Sequence, residues 1–142
     1  MQLKQSTDLH TSSFTQHVAY EVVREGFLEQ HVKFIRSLYR ERRDVMLGAL
    51  QDFFPAEVKW TRPEGGLFLW VTLPQSLDSH EILEAAVAQN VAFVPGNSFY
   101  ASPGKIDHHM RLNFSNACPE LIREGIKRLA LAVESQLLTT YA

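Results

Sequence analysis

The segment Met110-Arg111-Leu112-Asn113-Phe114-Ser115 carries the strongest chemical signal in this chain. Read with a period of two, Met110, Leu112 and Phe114 fall on one face, and Arg111, Asn113 and Ser115 on the other. An arginine held in mid-strand opposite an apolar face is well placed to grip a carboxylate. Its planar guanidinium offers two parallel N–H donors that match both carboxylate oxygens. The ordinary fate of a strand arginine is solvation on an open sheet face, so other segments must support the reading.

Two further segments could bind a ligand. Gly66 immediately precedes Leu67-Phe68-Leu69-Trp70, where a backbone could approach a ligand closely and Phe68 could form an apolar wall. The competing account of Phe68 is a core aromatic. Pro95-Gly96-Asn97-Ser98-Phe99-Tyr100 follows an apolar run, a common position for a binding loop and equally for a plain connection. Gly65, Gly66 and Gly96 by themselves mark turns. Six histidines raise the question of a metal. None has the i, i+4 pairing with a glutamate that a helical zinc site uses, and adjacent His108 and His109 would point to opposite faces of a strand. No metal site is expected. The chain has no G-x-S-x-G elbow, no phosphate-cradling glycine loop and no Cys-His arrangement.

These residues need a scaffold, and the hydrophobic pattern supplies one. Ser13-Phe14-Thr15-Gln16 fits a capping box. A long helix 14–54 is expected after it, with Phe14, Val18 and Val22 on one face. Leu28, Val32, Ile35, Tyr39, Met46, Ala49, Leu50 and Phe53 continue the stripe. Gly26 costs about 1 kcal/mol relative to alanine and marks a break or bend. Pro55 ends the segment. Val58-Lys59-Trp60-Thr61 and Leu67 to Leu73 read as an antiparallel hairpin around Arg62-Pro63-Glu64-Gly65-Gly66. Asp78-Ser79-His80-Glu81 opens a helix with apolar Ile82, Leu83, Ala86 and Val87. Val91 to Val94 reads as a brief buried strand. Ala101-Ser102-Pro103-Gly104 is loop chemistry. Pro119 suits a first helical position, where its missing N–H is harmless. Leu121, Ile122, Ile126, Leu129, Ala130 and Val133 stripe the last helix, and Gly125 is expected to allow close packing there. The charged rim Arg36, Arg40, Glu41, Arg42, Arg43 and Asp44 reads as a solvated face or a partner surface.

The resulting class is α+β: a two-layer small domain with a mostly antiparallel sheet packed by helices, preceded by a long helix. Residues 1–13 read as a polar leading segment and 14–142 as one domain. A length of 142 residues suits one core, and 45% hydrophobic with 21% charged residues is ordinary globular composition. A net charge of −2 gives no electrostatic case for nucleic acid or an anionic membrane. No run reaches the roughly 18 apolar residues of a membrane span. The single cysteine, Cys118, excludes an internal disulfide and permits a reducing, cytoplasmic location.

Taken in order and spacing, three blocks resemble the carboxyl-terminal part of class I/II pyridoxal-phosphate aminotransferases of fold type I. The nearest branch is the 2-aminoadipate and kynurenine aminotransferase group. The blocks are Asp8-Leu9-His10-Thr11-Ser12-Ser13 before the long helix, Arg62 to Trp70 across the hairpin, and Val91 to Tyr100 followed by Arg111 to Ser115. The resemblance implies that Arg111 binds the substrate α-carboxylate. It places Phe68 and Gly66 near the substrate, and the loop from Pro95 to Tyr100, with Asn97, at the active-site mouth. It sets Asp8 to Ser13 near a dimer interface and cofactor cleft. It also implies amino-group transfer between an amino acid and a 2-oxo acid, in a homodimer. The family's Schiff-base lysine sits in an S-x-S-K motif, and none of Lys4, Lys33, Lys59, Lys105 and Lys127 does. Read this way, the chain is a small-domain fragment, inactive alone and not expected to bind pyridoxal 5'-phosphate without the large domain; its own cofactor-binding residues stay unassigned. Two alternatives compete: the ligand-sensing aminotransferase-like domain of a transcriptional regulator, and an independent small-molecule-binding module.

Overall fold

The computed structural model describes residues 2–7, 9–101 and 107–140. The chain forms two units, Met1–Leu38 and Tyr39–Ala142. Asp8, Ser102, Pro103, Gly104 and Lys105 lie outside the described residues.

The first unit is helical. The leading segment, expected to be a polar tail, contains helix α1 (Gln2–Thr7). The long helical segment expected over 14–54 is two helices, α2 (Ser13–Val23) and α3 (Phe27–Phe53), with the break expected at Gly26. The break falls at Gly26, whose φ of +77° an L side chain adopts only with strain. The capping box is not formed. Ser12, not Ser13, is the N-cap, it makes no side-chain cap bond, and the Gln16 side-chain amide donates to the Thr11 carbonyl at 3.0 Å. Phe14, Val18 and Val22 share a face that is exposed.

The second unit holds the sheet. Strands β1 (Lys59–Trp60), β2 (Phe68–Thr72), β3 (Val94–Pro95) and β4 (His109–Asn113) form one four-stranded sheet in the order β1-β2-β4-β3. Every neighbouring pair is antiparallel. The β1–β2 hairpin is as the sequence suggests, and the Thr61 amide extends it by donating to the Trp70 carbonyl at 2.9 Å. Helix α4 (Ser79–Ala88) starts at Asp78, whose carboxylate accepts from the His80 amide. Helix α5 (Pro119–Thr140) starts at its proline.

Alternation along the strands decides which face is covered. Leu69, Val71, Met110 and Leu112 are buried on one face, together with Phe114 just past β4. Met46, Ala49 and Leu50 of α3, Ile82 and Ala86 of α4, and Ile122, Ile126, Leu129 and Val133 of α5 join them in one core. Burying large aliphatic side chains of this kind contributes about 1.5–3 kcal/mol each. The result is the expected two-layer α+β arrangement, with Arg111 on the face away from the core.

Several local expectations fail for identifiable reasons. Val91 is not in a strand, because its amide donates to the Ala86 carbonyl at 3.0 Å. Asn90 adopts φ of 60°, and its amide donates to Val87, which completes a helix-terminating motif that takes Val91 out of the ladder. β3 therefore begins only at Val94. Val87 and Leu121 are exposed, each one residue and so about 100° around the helix from a buried neighbour, Ala86 and Ile122. Gly125 packs against nothing: a Cβ added there meets no atom within 4 Å. The charged rim of α3 is not uniformly solvated. Arg42 donates to the Ser115 carbonyl beyond β4, and Arg43 donates to the Pro63 carbonyl in the hairpin turn at 3.1 Å.

Candidate functional site

Cross-strand register builds the open sheet face. Trp70 stands opposite Arg111, Phe68 opposite Asn113 and Thr72 opposite His109, while Val94 flanks Arg111 from the other side. Opposite residues share a face, so these side chains cluster away from the core. A 3-10 turn, Gly96–Phe99, follows β3 and adds Phe99. The Arg111 guanidinium carbon lies 4.1 Å from the Phe68 ring centroid and 4.4 Å from that of Phe99. Both distances fall inside the roughly 6 Å range of cation–π attraction. Arg111 is half-buried, and among the described residues no carboxylate or carbonyl hydrogen-bonds to its guanidinium. Ring faces attract the cation without using its in-plane N–H donors, so those donors remain available to an anion.

Trp70 organises the neighbouring aromatics. Its ring stacks on His109 at 5.6 Å and 26°, and meets Phe99 and Tyr100 edge-on at 5.7 and 6.3 Å. The Tyr100 hydroxyl and His109 Nδ1 share a hydrogen bond of 3.0 Å.

Below this cluster sits a buried carboxylate. Asp107 is 2% exposed. Its Oδ2 accepts from the Asn97 amide at 2.8 Å and the Ser79 hydroxyl at 3.0 Å, and its Oδ1 accepts from the His109 amide at 3.1 Å. His109 Nδ1 lies 3.5 Å from the same Oδ1. The Asp107 carbonyl accepts from the Ser79 amide at 2.7 Å. Burial alone would push this carboxyl up; the hydrogen bonds from Asn97, Ser79 and His109 outweigh it and hold the group below the usual carboxylate range. Gly96 passes so close that an added Cβ would stand 2.7 Å from the His109 Cβ and 2.9 Å from Asp107 Oδ1.

Of the residues singled out by sequence, Arg111 and Phe68 meet directly. Phe68 is 41% exposed, so it is no core aromatic. Gly66 lies two positions before it with φ of +79°, and an added Cβ would meet nothing within 4 Å. The backbone conformation, not crowding from the protein, is what calls for glycine there. Asn97 serves the turn: its amide bonds Asp107, and its side-chain amide lies 3.3 Å from His80 Nε2. Sequence reasoning passed over Asp107, Ser79, Trp70 and His109. For Trp70 and His109 a signal existed, since each lies two positions from Phe68 or Arg111 on the same strand face.

Among the described residues no group of three or more His, Cys, Asp or Glu side chains could hold a metal ion. Lys59 is on the outer strand β1, opposite Thr72, and shares no rung with Arg111.

The sequence profile of the family "Aminotransferase class I and II" matches residues 2–129. The chain is similar to aromatic-amino-acid aminotransferase 1 of Thermococcus litoralis, 48% identical over 94% of this chain and 32% of that protein. It is similar to 2-aminoadipate transaminase of Thermus thermophilus, 40% identical over 96% of this chain and 34% of that protein. Among solved structures, a kynurenine aminotransferase of Pyrococcus horikoshii, in complex with PMP, superposes with a TM-score of 0.88. It is 51% identical, over 95% of this chain and 33% of that one. The chain thus spans about a third of the length of the curated relatives it matches.

Proposed function

We propose that this chain, which belongs to the class I and II aminotransferases, acts as the carboxyl-terminal small domain of a pyridoxal-phosphate-dependent aminotransferase and binds the substrate α-carboxylate through Arg111. In this reading residues 14–142 are the small domain, and the complete protein is a cytoplasmic homodimer that moves an amino group between an amino acid and a 2-oxo acid. The observation that supports it most is the guanidinium held between Phe68 and Phe99 with its in-plane donors uncommitted among the described residues.

The cofactor, when bound, supplies an electron sink for the substrate α-carbon. This chain's own contribution is orientation. A forked guanidinium fixes a carboxylate in plane as well as in position. The Phe68 and Phe99 rings lie against the guanidinium, and the lower local polarity they create strengthens the charge-assisted bonds. Positioning of this kind can supply several kcal/mol of a barrier. Phe68 and Gly66 line the approach, and the Pro95–Tyr100 segment with Asn97 frames the mouth.

The test is amino-group transfer by the complete protein supplied with pyridoxal phosphate. Arg111→Ala should raise KM for the amino acid and for the 2-oxo acid together, with the fold intact. A complete protein that binds amino acids but never turns them over would favour the regulator reading instead.

A further inference from the structure

We propose that Asp107 is a positioning residue for Arg111: its buried carboxylate pins the Gly96–Phe99 turn so that the Phe99 ring closes over the guanidinium. The inference deepens the carboxylate-binding role of Arg111 and rests on it for its consequence in binding, though not for its geometry.

Phe99 reaches Arg111 from a short 3-10 turn. The turn is four residues long, and its N-cap makes no side-chain hydrogen bond. On the exposed side of the turn Phe99 packs edge-on against Trp70 and the Asn97 side chain lies 3.3 Å from His80 Nε2; the turn's buried anchorage comes from Asp107. The carboxylate holds the Asn97 amide of the turn at 2.8 Å, the Ser79 hydroxyl of α4 at 3.0 Å and the His109 amide of β4 at 3.1 Å. One buried anion thereby joins a helix start, a turn and the strand that carries Arg111. Gly96 makes the joint possible, because any side chain there would collide with the carboxylate and with His109. Removing one partner of such a network leaves donors unsatisfied in a buried place, which displaces the element with the least other support first. Here that element is the turn; β4 is held by β2 and β3 on both sides.

The measurement is NMR of the isotope-labelled chain, reading the Arg111 Nε–Hε and Cδ–Hδ signals that the two rings shift. Phe99→Leu defines the share of the shift that Phe99 supplies. Asp107→Asn should lose that same share while the core methyl signals of Leu69, Val71 and Leu112 stay in place. Gly96→Ala, with the carboxylate intact, should do likewise and decides the matter alone if Asp107→Asn does not fold. Titrated with pyruvate, a plain 2-oxo acid, both variants should bind about fivefold more weakly than the parent, the scale of one cation–π contact. Unchanged Arg111 signals in Asp107→Asn would overturn the proposal. So would core methyl signals that move in step with Arg111, since the role would then be general stability. If the parent's Arg111 signals ignore pyruvate, the carboxylate role of Arg111 fails, and the link between Asp107 and Phe99 is still read from the ring shifts.

Discussion

The Arg111 guanidinium carbon lies 4.1 Å from the centroid of the Phe68 ring, although the two residues face different partners across the β2–β4 ladder. Phe68 pairs with Asn113 and Arg111 pairs with Trp70, so the contact is a cross-strand diagonal. Diagonal neighbours lie about 7–8 Å apart at the backbone, within reach of an aromatic and a long cationic side chain. Register, more than any loop, therefore sets where the cation sits.

Phe68→Leu should separate binding from stability. Phe68 is 41% exposed, so its loss should change unfolding free energy by less than about 1 kcal/mol. It removes one face of the cation's cage and should weaken carboxylate binding by about 0.5–2 kcal/mol. Calorimetric titration with a 2-oxo acid beside denaturant unfolding checks both halves. Equal losses in the two measurements would contradict the assignment.

Two glycines should respond in opposite directions to alanine. Gly66 has φ of +79°, so Gly66→Ala should destabilise by about 1–2 kcal/mol despite the open space around it. Gly125 lies inside α5 with nothing within 4 Å of an added Cβ, so Gly125→Ala should stabilise by about 0.5–1 kcal/mol. Thermal unfolding of the two variants reads the signs directly.

Asp107 should give the fold a distinct acid sensitivity. The folded chain holds this carboxyl below its ordinary value of 3.8, so it takes up the proton less readily than the unfolded chain. The stabilisation is fully present above the unfolded value and is lost as pH falls through the lower folded one. Asp107→Asn should therefore be less stable at neutral pH, by about 1.5–3 kcal/mol. The gap should close only below about pH 4. Denaturant unfolding across pH 2–7 tests this, and a gap that stays constant throughout would contradict it.

Much of this arrangement is legible in the sequence because it is periodic. Alternation along Met110 to Ser115 puts Arg111 opposite the core, as the burial of Met110, Leu112 and Phe114 bears out. The α4 start at Asp78 and the α5 start at Pro119 follow from local capping chemistry. The rest depends on convergence from afar. Asp107 meets Ser79, 28 residues earlier, and Asn97, 10 residues earlier, and no local pattern announces either contact. Gly96 reads as turn punctuation until its neighbours His109 and Asp107 are seen beside it. Val91 has the composition of a strand residue, yet the end of α4 claims its amide first.

The central claim is that Arg111 holds a carboxylate, and the direct measurement is the affinity of the chain for a 2-oxo acid when Arg111 is replaced. Arg111→Ala should weaken binding by about 1.5–3 kcal/mol, roughly ten- to hundredfold, and leave the unfolding transition in place. Arg111→Lys keeps the charge without the fork and should recover only part of the loss. Undiminished affinity in Arg111→Ala would contradict the account.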